Sequence, residues 1–285
     1  MSVRTLSHCT EPMLDLPAGQ VDLWFTRTDR VDPALAARYH ALLTQHELAQ
    51  QARFHFEKDR HRYLVTRALV REVLSRYAPV APDEWRFQAD RYGKPRIVVP
   101  AGLAKRIAFN ISHTDGLVIV GVSLGRALGV DAECMQRRPA VEVAERFFST
   151  LEVRSLQRLC SPAQAMRFWE LWTLKESYIK ARGMGLTIPL DRFAFHLDEP
   201  RSVGIEFAPD FDDVPSRWQF WQMRPTEHHL LALCVESPAW NEAPIRLCVR
   251  EATPLRGHCV VRYRIDRCSD LAEIPKHPPD IAEAA

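Results

Sequence analysis

Glycine is scarce in this sequence: there are 11 glycines among 285 residues, about 4% against a usual share of roughly 7%. Neither the dinucleotide-binding pattern G-x-G-x-x-G nor the P-loop pattern G-x-x-x-x-G-K-[ST] occurs. A nucleotide, if the protein binds one, is therefore not held by either of these loops.

Paired cysteines and long apolar runs are also lacking. The seven cysteines are scattered and never spaced as C-x-x-C, which argues against a disulfide framework or a zinc ribbon. No apolar run approaches the roughly 20 residues of a membrane span, and the first residues lack the apolar core of a signal peptide. We expect a cytoplasmic protein that does not associate with membranes.

Charge of one sign is not in excess, since 38 Lys and Arg face 36 Asp and Glu, a net charge of +2. This balance excludes a nucleic-acid coat or an acidic solvating tail. The charges are unevenly spread, however: residues 1–130 hold 18 basic and 13 acidic residues (+5), and residues 131–285 hold 20 and 23 (−3). Two basic clusters, at 53–71 and 86–106, suggest that a small polyanion docks in the first half.

Periodicity predicts the same order of elements twice, a long helix followed by strands. In the first half we predict a helix at 57–77 and strands at 85–88, 107–111, 117–124 and 128–133. In the second half we predict a helix at 162–182 and strands at 192–197, 218–223 and 229–235. The fold class is therefore α+β, with two similar subdomains related by a pseudo-twofold axis. Each is a long helix on a small, mostly antiparallel sheet, and the active-site cleft lies between them.

Three further predictions concern boundaries and connections. We divide the chain into an N-terminal subdomain (1–130), a C-terminal subdomain (131–245) and a partly disordered extension (246–285) that contains strands at 244–250 and 258–265. Gly125 and Arg126 predict a tight hairpin between the strands that flank them. Asp32 and Pro33 predict the start of a helix that continues toward Gln51.

Two carboxylates lie two positions apart in the segment GVDAE at 129–133. Because side chains alternate along a strand, Asp131 and Glu133 share a face, about 6 to 7 Å apart at the backbone. Two like charges this close favour a cation, and hard oxygen ligands suit Mg²⁺. An exposed acidic strand end is the alternative interpretation.

The predicted helix 162–182 contains the segment FWELWTLKESYIK at 168–180. Glu176 and Lys180 are four residues apart and share a face, so a surface ion pair is one interpretation. The many aromatic and aliphatic residues indicate that much of this helix is buried, and buried charges need partners such as a metal or a phosphate. A third polar segment, FNISHTD at 109–115, lies beside the basic segment YGKPR at 92–96, as at a phosphate site.

Four segments resemble, in order, the Sfp-type phosphopantetheinyl transferases: GKP at 93–95, FNISH at 109–113, GVDAE at 129–133 and WTLKESYIK at 172–180. The resemblance covers about residues 20 to 240. It implies two similar α+β halves with coenzyme A between them, and the transfer of 4′-phosphopantetheine from coenzyme A to a serine of an apo acyl or peptidyl carrier protein.

The resemblance also implies residue roles. Asp131, Glu133 and Glu176 would hold Mg²⁺ against the coenzyme A pyrophosphate, and Glu176 would also be the general base for the carrier serine, directly or through water. Lys180 would neutralise the phosphate under attack or the leaving adenosine 3′,5′-bisphosphate, and His113 would contact phosphate; both join Glu176 as catalytic residues. Coenzyme A binding is assigned to Arg53, Arg62, Lys94, Pro95, Ser112, His113, Lys175 and Lys180.

Partners and alternatives follow from the same residues. Arg137 and Arg138 come directly after the acidic strand and are candidates to contact an acidic helix of a carrier protein; an exposed loop is the alternative. We expect a monomer that binds no nucleic acid. Clustered carboxylates with a lysine also serve Mg²⁺-dependent nucleases and other phosphodiesterases, and a non-catalytic module that binds coenzyme A or a carrier is a third possibility.

Overall fold

The computed structural model describes residues 13–100, 102, 106–239 and 242–269, which form six α-helices and thirteen strands. The helices are α1 (Pro33–His40), α2 (Gln45–Ala52), α3 (Glu57–Ser75), α4 (Ala144–Phe147), α5 (Thr150–Gln157) and α6 (Ser161–Arg182). The strands of the first half are β1 (Gln20–Arg27), β2 (Arg86–Ala89), β3 (Pro95–Val99), β4 (Ile107–Thr114), β5 (Leu117–Leu124) and β6 (Leu128–Cys134). Those that follow are β7 (Phe193–His196), β8 (Gly204–Phe207), β9 (Trp218–Thr226), β10 (His229–Glu236), β11 (Arg246–Thr253), β12 (Gly257–Val260) and β13 (Ile265–Cys268).

The two long helices begin and end at recognisable signals. Helix α3 carries Glu57 and Asp59 in its first turn, where the helix dipole favours negative charge. Helix α6 has a proline in its first turn, and it ends at Gly183, which adopts a left-handed conformation (φ 69°) that glycine accepts without strain. Both predicted long helices are confirmed to within two residues.

Two sheets organise the strands. The first has the order β12-β11-β1-β5-β4 and the second the order β13-β9-β10-β6, and two short hairpins, β2-β3 and β7-β8, stand apart from them. All neighbours in the two sheets are antiparallel except β1 and β11, which are parallel. The predicted α+β class, with small and mostly antiparallel sheets, is confirmed.

The sheets stack between the long helices, and alternation along the strands decides which residues face where. On β5, Val118 and Val120 pack toward α3, whereas Leu117 and Ile119 face the second sheet. On β10, Leu230 and Ala232 pack toward α6, while Leu231 and Leu233 face the first sheet. Three apolar clusters result: helix on sheet in each lobe, and sheet on sheet between the lobes.

The predicted hairpin at Gly125 and Arg126 is wrong. Strands β5 and β6 do not pair, because β5 belongs to the first sheet and β6 to the second. The turn carries the chain from one lobe to the other, so β6 packs across the face of β5 at Gly121, where a Cβ atom would lie 2.9 Å from a methyl group of Leu128. A local pattern can predict a turn, but not which partner the next strand takes.

Other boundaries also differ from expectation. The predicted division after residue 130 falls inside β6, all of which lies in the second sheet. The part of the predicted extension that the structure describes is built into both sheets, β11 and β12 in the first and β13 in the second, while 270–285 lies outside the described residues. The single predicted helix from Asp32 is two helices, because a capping box between Thr44 and Glu47 starts α2 anew.

The contact of α6 with β6 depends on Gly129. A Cβ atom at this position would collide with the Ser177 carbonyl oxygen and the Ala181 amide of the helix backbone. Backbone atoms cannot rotate away as a side chain can, so helix and strand would have to separate.

We therefore predict that Gly129→Ala lowers the free energy of unfolding by about 3 kcal/mol or more, measured by urea denaturation. Gly204→Ala is the matched control, because Gly204 also lies in a strand and its added Cβ would meet His196 at an ordinary 3.6 Å. Equal stability of the two variants would contradict the close approach of α6 to β6.

Candidate functional site

A cavity of about 770 Å³ lies between the lobes, within the size range of sites for small molecules and cofactors. Helix α3 and strand β4 of the first lobe form one side of it, and β6 and α6 of the second lobe form the other. Nine of the predicted site residues line it: Arg62, Lys94, Pro95, Ser112, His113, Asp131, Glu133, Glu176 and Lys180. The structure thus brings together segments that lie far apart in the sequence.

Carboxylates gather where α6 crosses β6. Asp131 and Glu133 alternate with residues that face the first sheet, so they point to the side of β6 that Gly129 opens to the helix. Glu176 lines the same end of the cavity from α6, with Lys180 one helical turn further on. The Lys180 ammonium lies 2.7 Å from Asp131 Oδ1, in an ion pair that is mostly shielded from water.

Burial and mutual repulsion disfavour the ionised forms of the two glutamates. Burial raises the pKa of Glu133 to about 7, with the charge of Asp131 as the next cause. The pKa of Glu176 is raised to about 7 for the same two reasons in the same order. In addition, Asp131 Oδ2 is buried and has no hydrogen-bond partner among the residues that the structure describes. A buried carboxylate oxygen without a partner lies here in the same cavity as two glutamates whose ionised forms are disfavoured. A further cation would stabilise all three groups.

The carboxylates do not form a finished metal cage. Among the described residues, no group of three His, Cys, Asp or Glu side chains is arranged closely enough to hold a metal ion by itself. All three carboxylates line one cavity nonetheless, and the unpartnered Asp131 oxygen fits a hard cation. Mg²⁺ commonly binds through one or two carboxylates and takes its other ligands from water and phosphate, so the donor set fits this ion.

Cationic side chains line the opposite side of the cavity. The Lys94 ammonium donates to the Lys180 carbonyl oxygen at the end of α6 (2.8 Å), and its pKa is lowered, first by burial and then by the charge of Arg96. His113 lies at the cavity mouth, where desolvation and then the charges of Arg62 and Lys180 lower its pKa. The surroundings of Lys94 and His113 thus disfavour their charged forms, and a bound anion would offset this effect.

Arg62 is already paired, since its guanidinium lies 2.6 Å from Asp59 Oδ1. Arg67, which the sequence analysis did not single out as a site residue, also lines the cavity, where its guanidinium lies over the Tyr63 ring, 4.9 Å from the centroid. The basic cluster at 53–71 indicated such residues, but only the helix geometry shows which of them face the cleft.

Lys175 requires a correction. Its side chain is 1% exposed, and its ammonium lies 2.8 Å from Glu152 Oε2 and donates to the carbonyl oxygens of Leu190 and Phe193 (2.7 Å each). Adjacent helix residues point about 100° apart, so Lys175 enters the core of the second lobe while Glu176 faces the cavity. We therefore reassign Lys175 from coenzyme A binding to the core.

Arg53 is the other predicted residue outside the cavity wall. It is exposed at the end of α2 and donates to Gln50 Oε1 (3.2 Å). Sequence reasoning also missed Thr114, whose hydroxyl lies 3.3 Å from Glu133 Oε2. The available signal was strand alternation, which places Thr114 on the same face of β4 as Ser112.

Comparison with known proteins identifies the class. Residues 127–234 match the 4′-phosphopantetheinyl transferase superfamily, and residues 32–124 match the 4′-phosphopantetheinyl transferase N-terminal domain. The chain is 33% identical to 4′-phosphopantetheinyl transferase Sfp of Bacillus subtilis over 207 residues, which cover 72% of this chain and 87% of that protein. It is 29% identical to 4′-phosphopantetheinyl transferase HetI of a Nostoc species over 231 residues, covering 81% and 93% of the two chains.

Fold and comparisons together define a two-lobed α+β transferase with its cleft between the lobes. The chain belongs to the Sfp-type 4′-phosphopantetheinyl transferase family. Within the part of the chain that the structure describes, no helix has the length and apolar character needed to cross a membrane.

The buried ion pair beneath the site yields a stability prediction. Glu152→Ala leaves the Lys175 ammonium buried without its carboxylate, which we expect to lower the free energy of unfolding by about 3 to 5 kcal/mol, measured by chemical denaturation. The exposed pair of Arg192 and Asp210 in the same lobe is the control, and Asp210→Ala is expected to cost less than about 1 kcal/mol. A small loss in Glu152→Ala would contradict the core assignment of Lys175.

Proposed function

We propose that this protein transfers the 4′-phosphopantetheine group of coenzyme A to a serine hydroxyl of an apo carrier protein, in a Mg²⁺-dependent reaction that releases adenosine 3′,5′-bisphosphate. The proposal rests on one observation: acidic and basic side chains lie on opposite sides of the same cavity. Three carboxylates and Lys180 lie where α6 crosses β6, and cationic side chains line the facing wall. A pyrophosphate bound with a divalent cation complements both.

Asp131, Glu133 and Glu176 would hold the Mg²⁺ ion. When bound, the ion supplies neutralisation of the pyrophosphate charge. The buried, unpartnered Asp131 Oδ2 and the raised pKa values of the two glutamates support this assignment, because each feature is relieved by added positive charge.

The phosphates would be bound by side chains of both lobes. Lys180 presents its ammonium at the carboxylates, so it would lie beside the phosphate that is transferred. His113 and Lys94 line the cavity from the first lobe and would contact the remaining phosphates. Holding the phosphate in line with the attacking hydroxyl accounts for much of the rate in such reactions, because little covalent work is left to the protein.

Glu176 would take the proton of the carrier serine. Its carboxylate lines the cavity one helical turn from Lys180, in the same site as the proposed phosphate. The serine oxygen forms a bond to the phosphorus that bears the pantetheine arm. The bond from this phosphorus to the bridging oxygen breaks, and adenosine 3′,5′-bisphosphate leaves with the bonding electrons.

Mass spectrometry tests the proposal. The protein is incubated with coenzyme A, Mg²⁺ and an apo carrier protein, and the carrier is expected to gain the mass of one phosphopantetheine group.

Glu176→Gln and Asp131→Asn are each expected to lower turnover by at least about 100-fold while the circular dichroism spectrum stays unchanged, because each removes a charge from the cavity wall and not from the core.

The control for these variants is Glu145→Gln, which neutralises an exposed glutamate on α4 outside the cavity and is expected to retain wild-type turnover. An unmodified carrier would overturn the proposed reaction. Turnover near the wild-type rate in both Glu176→Gln and Asp131→Asn at saturating Mg²⁺ would instead overturn the assignment of the metal and base residues.

Arg137 and Arg138 provide the candidate surface for the carrier. Both are exposed in the segment that follows β6, so they lie next to the carboxylate end of the cavity. The charge of Arg137 also acts on Glu133, whose pKa it lowers slightly against the dominant effect of burial. An acidic helix that presents its serine to the cavity would meet these two arginines.

We predict that reversing both charges (Arg137→Glu with Arg138→Glu) raises the KM for the carrier protein about 10-fold while the KM for coenzyme A changes less than about 2-fold. Steady-state kinetics with each substrate varied in turn measures the difference. Arg246→Glu, an exposed reversal at the far end of the first sheet, is the control and is expected to leave both values unchanged. A parallel rise in both KM values would contradict a carrier-specific role.

A further inference from the structure

The edge strands β4 and β6 of the two stacked sheets are joined through side chains. Strand β4 is the last strand of the first sheet and β6 the last strand of the second. Every second amide of β6 donates to a β4 side chain: Val130 to Asn110 Oδ1 (2.9 Å), Ala132 to Ser112 Oγ (3.1 Å) and Cys134 to Thr114 Oγ1 (3.2 Å). We call these three contacts the side-chain ladder. They satisfy amides that face away from β10 and would otherwise be buried without acceptors.

Two rungs of the side-chain ladder also contact a carboxylate of the cavity. The Ser112 hydroxyl oxygen accepts hydrogen bonds from the Ala132 amide and from the Lys180 ammonium (3.2 Å). A hydroxyl has one proton and two lone pairs, so the Ser112 proton is left for Asp131 Oδ1 at 3.1 Å.

Thr114 repeats this arrangement one rung along. Its oxygen accepts from the Cys134 amide, and its proton is directed to Glu133 Oε2 at 3.3 Å. Both Ser112 and Thr114 are 4% exposed, so water offers little competition for these protons. In these two rungs the carboxylate belongs to the residue that precedes the donating amide. In the third rung Asn110 accepts from the Val130 amide, and the preceding residue is Gly129, which has no side chain to orient.

We propose that Ser112 and Thr114 are positioning residues that set the orientation of Asp131 and Glu133 for the divalent cation. The inference rests on the proposed function, since it assigns these two carboxylates to Mg²⁺. One hydroxyl then serves two purposes: it joins the lobes through a β6 amide and fixes a ligand oxygen through its proton. The alignment of the two sheets thereby sets the geometry of the cation site.

Hydrogen-bond partners of metal ligands commonly change metal affinity by 10- to 100-fold when they are removed. Thr114→Val keeps the size and shape of the side chain but removes both hydrogen bonds. It is also the cleaner variant, because Thr114 contacts Glu133 and not Lys180. Thr114→Ser restores the hydroxyl and serves as the conservative rescue.

Mn²⁺ is the probe, because the electron paramagnetic resonance signal of the free ion reports its concentration directly. Each variant is titrated with Mn²⁺ at saturating coenzyme A, and a titration of coenzyme A without protein is subtracted. We expect Thr114→Val to weaken Mn²⁺ binding about 10-fold, Thr114→Ser to bind as the wild type does, and Ser112→Ala to be weakened as well. The Mg²⁺ concentration for half-maximal turnover should rise by a similar factor.

Asn110→Ala is the matched control for lost ladder contacts. It removes one rung of the side-chain ladder without touching a carboxylate, so its Tm should fall while its Mn²⁺ affinity stays within about 2-fold of the wild type. Equal weakening of Mn²⁺ binding in Asn110→Ala and Thr114→Val would overturn the proposal, since the effect would then follow from the loosened lobes alone.

Glu133→Gln separates the inference from the proposed function. If Glu133→Gln weakens Mn²⁺ binding and neither Thr114→Val nor Ser112→Ala does so, the positioning role is refuted and the metal site stands. If Glu133→Gln binds Mn²⁺ as the wild type does, Glu133 is not a metal ligand, and the metal assignment of the proposed function is refuted at that residue. Should Thr114→Val fail to fold, the comparison of Ser112→Ala with Asn110→Ala decides in the same way.

Discussion

The contact of α6 with β6 at Gly129 is the constraint on which the site depends. Because this position has no side chain, the backbone of the helix lies directly against the strand, and residues from both enter the same small volume. The Lys180 ammonium can then reach Asp131 at 2.7 Å. A helix resting on a larger residue would stand further from the strand, and the same side chains would not meet. The sparse glycine content thus conceals one position where glycine is indispensable.

Several contacts hold the C-terminal end of α6 in this position. Asp213 accepts hydrogen bonds from the Tyr178 hydroxyl (2.7 Å) and the Trp218 indole (2.9 Å), and it forms an ion pair with Arg182 at the last turn of the helix. Lys94 of the other lobe donates to the Lys180 carbonyl oxygen. The turn that carries Lys180 is therefore held by contacts from both lobes, which suits the proposed role of Lys180 toward a ligand between them.

Sequence patterns predicted the elements and the faces of the site because both follow from local geometry. Strand alternation placed Asp131 and Glu133 together, and helix spacing placed Glu176 with Lys180. The assignment of Lys175 to coenzyme A binding was wrong, because residues that are adjacent in a motif point to different sides of a helix. The pairing of β1 with β11 and the separation of β5 from β6 depend on contacts distant in sequence, which no local pattern encodes. Strand alternation could have predicted the face of β4 on which Thr114 lies. Its contact with Glu133 depends on where β6 packs, which alternation does not predict.

The separation of acidic and basic side chains in the cavity limits the kinds of ligand that could bind there. At the end of the cavity where α6 crosses β6, the carboxylates of Asp131, Glu133 and Glu176 outweigh the charge of Lys180, so an anion that arrived without a cation would be repelled. Two like charges 4 Å apart at an effective dielectric constant of 20 oppose each other by about 4 kcal/mol. A bare cation would in turn meet Lys94 and the arginines of α3. The proposed ligand, a pyrophosphate accompanied by a divalent cation, would satisfy both sides at once, because its negative charge could face the first lobe and its cation the second. The near-neutral net charge of the chain fits this proposal, since a ligand of this kind requires both signs of charge in one cavity and no excess of either over the whole chain.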